Sequence, residues 1–512
     1  MSDKSKQGIL SYRIEADSAK LKLTGMAGLG PYLDLILASE LLKSIRRNLG
    51  VRDGDQGWMD EQIVTAFILL NLAGGDCVDD FDMLESDEGL GKLIECLEKS
   101  LPRRVRRQMA RRWRKGRERS IVSASAGRRF LSAFHDEEQE KLRIAGKAFI
   151  QKPCENLKGL YRVNADLLRY GYSQTKERSV TATLDLDATV VETWKKAALY
   201  CYKHYPAYQP FNIWWAEQEM MLLSEFRDGN VPAGYEQSRV LDEALGLLPP
   251  GVKVVRLRAD TAGNEHELLL YCERGQNKRF GRIEFVVGCD VTAEFKRAVK
   301  AVSKEDWHPI YRVQGDRKVK TGREWAEVCF VPNAIGRSLN LPTYRYIATR
   351  EALADQPLPG MKGEQPRLPF PTMVWKGVTH KVFGLVTNMD WEGEKLIKFH
   401  DGRCGKCEEA HKILKEDFGG GKLPSKEFGA NAAWWQMAIL AMNLNSIMRR
   451  VVLGGSWANK RMKAIRFSII RVGGRIVEKG RQVYVRLREG HEALKLLVGM
   501  REKIAGMAGL PP

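Results

Sequence analysis

The sequence predicts an α/β core, a mixed sheet with flanking helices, preceded by an α-helical region and interrupted by a β-rich stretch. Three observations carry that expectation. From Pro31 to about Phe134 apolar residues recur at three- and four-residue spacing, as in YLDLILASELLKSI and EQIVTAFILLNLAG, which is the helical period. From Ser179 the texture changes, beginning with the β-branched, alternating run VTATLDLDATVVET, and strands then alternate with helices. Between about Thr292 and Thr379 the alternation stops, and short strand-like runs such as WAEVCFVP and YRYIATREAL lie among prolines and glycines. Alternating strands and helices favour an open sheet with some parallel strands.

Taken in order, residues 1–150 form the helical region, whose basic run is expected to meet nucleic acid. Within it LPRRVRRQMARRWRKGRERS, Leu101 to Ser120, contains a single acid, Glu118. Leu101, Val105, Met109 and Trp113 repeat every four residues, so one face packs while arginines cover the rest. A solvated helix usually mixes charge signs, so Arg103, Arg104, Arg106, Arg107, Arg111 and Arg112 are read as nucleic-acid contacts. The first part of the core spans 178–291. There PFNIWWAEQEMMLLSEFRDGN offers two strands or a strand and a helix start, KVVRLRAD a strand ending at Asp260, AGNEHELLLYCERG a helix and RIEFVVGCDV a strand. The β-rich insertion covers 292–379. The second part of the core, 380–450, holds the strand HKVFGLVTNMD and the helices CEEAHKILKED and NAAWWQMAILAMNLNSIMRR, and a basic C-terminal region follows over 451–512.

At 512 residues the chain has ample length for a large core. The formal charge of +19 favours a polyanionic partner. The most apolar stretches, Val64 to Ala73 and Trp434 to Leu444, are shorter than the roughly 20 residues a bilayer needs, so they are expected as buried helices and no membrane association is expected. MSDKSKQGIL lacks the apolar stretch of an export signal, and nine scattered cysteines suit a reduced compartment, so a cytoplasmic location is expected.

Asp185 and Asp187 sit two apart on a strand and therefore emerge on one face. Aspartate is a poor strand former, so two inside LDLDATVV call for a reason beyond folding. Asp260 ends a second strand just before TAGN, a position where open α/β sheets gather functional groups. Carboxylates brought together at strand ends suit hard divalent cations such as Mg2+. The helix CEEAHKILKED offers a third acid: Cys407, Ala410, His411, Leu414 and Phe418 form its apolar side, with Glu408 and Lys415 at that side's margin and Glu409 farther away.

The set LDLDAT, LRADTAG and RCGKCEEAHKILKEDFGGGKLPS followed by FGANAAWW resembles the DDE transposases of bacterial insertion sequences, in the cut-and-paste branch akin to piggyBac elements. YQPFNIWWAE and FRDGNVPAG resemble that branch too, and the likeness covers about residues 180 to 450. It implies a ribonuclease-H-like core whose three acids bind two Mg2+ ions, with Mn2+ able to substitute, and a β insertion before the third acid. It carries the acids onto Asp187, Asp260 and Glu408, with Asp185 and Glu409 as alternates. The signature around the third acid places Lys415, and Arg403 one residue out of step, on DNA phosphate, with His400 where the family has Tyr. It also implies double-stranded DNA partners, the terminal inverted repeats and the target, a homodimer on DNA, and a nucleoid-associated bacterial setting. The insertion of such enzymes presents an aromatic to a flipped base, for which Trp325 and Trp375 are the candidates.

Other signals point elsewhere. Cys404 and Cys407 with His400 and His411 make a zinc count, but one helix would have to aim all of them at one point. Gly419, Gly420, Gly421 and Lys422 follow a helix rather than a strand and read as a helix stop. A nuclease of the same fold that cuts without joining, and a nucleic-acid-binding protein without activity, are the rival readings.

Overall fold

The computed structural model describes residues 21–52, 54, 56–113, 116–144, 146–332, 342–353, 370–480 and 482–508. The N-terminal stretch read for an export signal, and Arg114 and Lys115 of the basic run, lie outside them. A ten-stranded mixed sheet organises the fold. Its strands are β1 Thr181–Ala188, β2 Phe211–Trp215, β3 Met220–Glu225, β4 Val254–Ala259, β5 Glu284–Cys289, β6 His308–Gln314, β7 Arg317–Val328, β8 Arg345–Ala352, β9 Thr372–Trp375 and β10 Val378–Thr387. They lie in the order β6-β7-β8-β10-β5-β4-β1-β2-β3, with β9 paired to β10. The β1–β4 and β4–β5 pairs are parallel, and β1–β2, β2–β3 and β5–β10 are antiparallel.

PFNIWWAEQEMMLLSEF thus resolves into two strands, β2 and β3. The β-rich segment does not stand apart from the core sheet but extends it. The reason is β10: Gly384–Thr387 pair with β5 while Val378–Lys381 pair with β9, so one strand belongs to both regions. A boundary at residue 379 falls inside it.

Strand β3 is an edge, and edges must be covered. The covering element is the helix Phe428–Ile447, buried along all of its 20 residues. Its Asn443 accepts from the Met221 amide and donates to the Met221 carbonyl, both at 2.9 Å, so a side-chain amide takes the place of a neighbouring strand. Gln436 donates to the Ser224 carbonyl at 2.8 Å. The helix packs in turn on helices Asp60–Ala73 and Glu155–Gln174. Its fully buried Trp434 and Trp435 each contribute roughly 2–3 kcal/mol on area grounds.

One hydrophobic cluster runs from Leu29 to Ile504, so the N-terminal helices share the core. Among the described residues no single helix is long and apolar enough to cross a membrane. The C-terminal region closes over the N-terminal one. Strand Gly474–Lys479 pairs with Lys22–Thr24. Arg466 donates to the carbonyls of Asn71, Leu72 and Asp417, and Arg471 to that of Ala73, so side chains far along the chain satisfy the open carbonyls of helix Asp60–Ala73. Burial brings the Arg466 guanidinium down to about 10.

Candidate active site

Register decides which aspartate of β1 is available. Asp185 lies opposite Arg258 of β4, which donates to both its oxygens at 2.6 and 2.8 Å, and the pair is buried. Arg258 also bonds the Phe399 carbonyl. Asp185 is therefore consumed in an internal ion pair. Leu186 pairs with Ala259, so the next residue on each strand, Asp187 and Asp260, comes level at the carboxyl ends of two parallel strands. Asp260 is half-exposed and held by an Asx turn, its Oδ1 accepting from the Ala262 amide at 3.0 Å. That turn requires Gly263, where a Cβ would lie 2.3 Å from the Cβ of Ala259.

The third acid arrives on helix Lys406–Glu416, which buries Cys407, Ala410, His411 and Leu414 and leaves Glu408 exposed in its first turn. Glu409 lines a different pocket with Trp214, Ile413, Arg449 and Arg461. Burial pushes the Asp187 carboxyl up to about 7; the Arg403 guanidinium opposes the rise, and the carboxylates of Asp260 and Glu408 add to it. Asp260 and Glu408, from two other parts of the chain, thus act on Asp187 through space, although among the described residues the three carboxylates do not close into one tight cluster.

Arg403 is buried and turned inward, Nη1 3.5 Å from Asp187 Oδ2 and Nη2 3.8 Å from Asp260 Oδ2. Expected on a DNA phosphate, it spans the two aspartates instead, supplying the positive charge between them. Its Nε is buried without a hydrogen-bond partner among the described residues. Lys415 donates to the Val190 carbonyl at 3.2 Å, and burial lowers its ammonium. It stays within electrostatic reach of Asp187.

Two histidines brace the site. His400 Nε2 donates to the Ala259 carbonyl at 3.0 Å, fastening helix Gly393–Asp401 to the end of β4, and burial lowers it to about 4. His411 Nδ1 lies 3.6 Å from Asp187 Oδ2, and burial lowers it to about 3. The sequence places His411 on the helix's apolar side without connecting it to Asp187; a histidine on a core-facing stripe is the only signal it offers. The zinc count does not assemble among the described residues: His400 and Cys404 gather with Asp401, while Cys407 and His411 gather with Asp187. The buried Cys407 thiol is pushed well above its usual value, which disfavours the thiolate a soft ion needs.

On helix Arg103–Arg111, Arg103, Arg104, Arg106, Arg107 and Arg111 are exposed and have no hydrogen-bond or ion-pair partner among the described residues. Arg112 leaves that set. It is buried and donates to the carbonyls of Gly57 at 2.9 Å, Arg52 at 3.1 Å and Gln56 at 3.3 Å, so it holds a loop. The base-stacking candidates are also occupied. Trp325 is buried against Gly393 and lies 5.0 Å from the His308 ring. Trp375 has Arg350 over its face at 4.3 Å, and the same guanidinium covers Trp307 at 3.9 Å. Exposed aromatics occur instead at Trp194, Tyr200 and Tyr202, 80%, 66% and 67% exposed and adjacent in sequence to Lys195, Lys196 and Lys203. The small sheet of Val191–Glu192, Leu199–Tyr200 and Pro206–Tyr208 carries them, and the bond from Lys415 to Val190 ties it to the acids' helix.

On this mixed α/β sheet Asp187 and Asp260 lie level at the carboxyl ends of parallel strands, and the sequence matches a family of nucleic-acid-processing enzymes. The profile described as "Transposase DDE domain group 1" covers residues 45–330 and 372–508, and the chain belongs to that family of DDE transposases. Membership implies use of a divalent metal. No match was found among curated proteins. A solved structure similar to this chain is a piggyBac transposase synaptic complex with hairpin DNA, 10% identical, with a TM-score of 0.37 over 94% of this chain and 85% of that one.

Proposed function

We propose that this transposase is the cut-and-paste enzyme of a bacterial insertion sequence, acting on double-stranded DNA at terminal inverted repeats and joining the freed 3′ ends to target DNA. In this reading the core is ribonuclease-H-like, which the order β3-β2-β1-β4-β5 with parallel β1, β4 and β5 supports. Residues 1–150 contribute DNA binding and dimerisation, the protein works as a homodimer on DNA, and it resides in the cytoplasm at the nucleoid.

Asp187, Asp260 and Glu408 are assigned as holders of two Mg2+ ions, for which Mn2+ substitutes. The donor set fits: all are hard carboxylate oxygens, and their mutual repulsion at Asp187 is what a divalent cation relieves. Such ions supply Lewis acidity to phosphodiester displacement. The chain's own residues then have distinct tasks. Arg403 keeps the two aspartates from repelling each other apart. Lys415 lies at the margin where a phosphate enters. Arg103, Arg104, Arg106, Arg107 and Arg111 bind backbone phosphates away from the reacting bond. Lys195, Lys196 and Lys203, with the exposed rings of Trp194, Tyr200 and Tyr202, offer DNA further cations and stacking surfaces for unpaired bases.

The placement of Asp187 and Asp260 at the ends of adjacent parallel strands, with Glu408 within electrostatic reach of Asp187, carries this reading. Its test combines protein, end-containing DNA, a target plasmid and Mg2+. Joined products are expected. Cleavage without joining points to a nuclease, and retention without cleavage to a binding protein. Asp260→Asn should keep DNA binding and lose cleavage; full activity in that variant removes Asp260 from the site.

A further inference from the structure

A line of buried polar side chains ends at Asp187 and starts at an indole. Ser224 on β3, Asn212 on β2 and Asp187 on β1 are register partners on three adjacent strands. Trp435 Nε1 lies 2.7 Å from Ser224 Oγ, Ser224 Oγ 2.6 Å from Asn212 Oδ1, and Asn212 Nδ2 3.1 Å from His411 Nε2. Trp435, Ser224, Asn212 and His411 are all buried.

The direction of every bond follows from the first. An indole N–H only donates, so Ser224 Oγ accepts from Trp435 and turns its own hydrogen to Asn212 Oδ1. The Asn212 amide nitrogen then faces His411, whose Nε2 must accept. The Cys407 thiol, 3.7 Å from the same Nε2, is a donor as well. The imidazole proton is left on Nδ1, the atom that faces Asp187 Oδ2 at 3.6 Å. Arg403 approaches that same oxygen.

We propose that His411 is a positioning residue, held as the Nδ1–H tautomer by the relay from Trp435 through Ser224 and Asn212, so that it orients Asp187 by its Oδ2 and presents Oδ1 to the metal. The 3.6 Å separation is longer than a formed hydrogen bond, so the contact is one of orientation and charge. This rests on the assignment of Asp187 as a metal holder. Partners of this kind commonly change metal affinity by about 10–100-fold.

The test titrates Mn2+ by electron paramagnetic resonance into full-length protein without DNA. His411→Leu should weaken binding by roughly 10–100-fold without lowering the melting temperature in EDTA. His411→Gln, which can accept from Asn212 and donate to Asp187, should restore most of the affinity. Histidine 15N spectra of the wild type should show an Nδ1-protonated ring, besides that of His380, whose Nδ1 donates to the Val378 carbonyl, and its signals should vanish in His411→Gln. Wild-type Mn2+ affinity in a folded His411→Leu, or protonation at Nε2, overturns the relay. If Asp187→Asn also binds Mn2+ normally, the metal-site reading fails first and the relay falls with it.

Discussion

Asp187→Asn should stabilise the metal-free protein, and more so as pH rises. The carboxyl is raised from 3.8 to about 7 by burial, against the pull of Arg403 and with the push of Asp260 and Glu408. A rise of about three units corresponds to roughly 4 kcal/mol between the protonated and ionised forms. Because the folded chain keeps a proton that the unfolded chain has already lost, this group's contribution is fully present below the unfolded value. It declines as pH climbs and is gone once pH passes about 7. Between about pH 5 and pH 8 the wild type should lose roughly 2–3 kcal/mol from Asp187 alone, and asparagine, which mimics the neutral acid, should not. The assay is chemical denaturation of both proteins in EDTA at the two pH values. The variant's advantage at the higher pH should exceed that at the lower by that amount, and Mn2+ should narrow it by stabilising only the wild type. An effect of equal size at both pH values refutes the reasoning.

Replacing Arg103, Arg104, Arg106, Arg107 and Arg111 with glutamine should reduce the slope of log affinity for DNA against log salt by about 0.9 for each phosphate no longer neutralised; an unchanged slope assigns that face to solvent. Arg112→Ala should behave differently. It strips bonds from the carbonyls of Arg52, Gln56 and Gly57, so unfolding should become easier by roughly 2–3 kcal/mol while the salt slope stays put. Gly393→Ala would set a Cβ 2.1 Å from the Trp325 ring and should cost about 1–3 kcal/mol in thermal denaturation. No change in stability there would mean that Trp325 can swing out and serve a base after all.

What is legible in the sequence is local. The alternation in LDLDAT marks β1, and one-sided apolar spacing marks helix Lys406–Glu416 with Glu408 off its buried face. What stays hidden depends on neighbours that sequence does not place side by side. Asp185 and Asp187 are equivalent along their strand and differ only because β4 sets Arg258 opposite one of them. Spacing puts Arg403 near the third acid but carries no information on direction, and the nearest counter-charge turns it inward. Trp325 reads as an aromatic of the insertion until Gly393, nearly seventy residues later, is found against its ring. Strand β10 belongs to both core and insertion because pairing, unlike composition, does not change at a texture boundary.

The clasp made by Arg466 and Arg471 on helix Asp60–Ala73 also constrains the order of events during synthesis. A nascent chain released only as far as Ile447 holds the apolar partners of that helix but not the cations that finish its carboxyl end, nor the strand that receives Lys22–Thr24. Maturation therefore waits on translation of the last segment. A product terminated before Arg466 would leave the carboxyl end of helix Asp60–Ala73 and the strand Lys22–Thr24 without these partners.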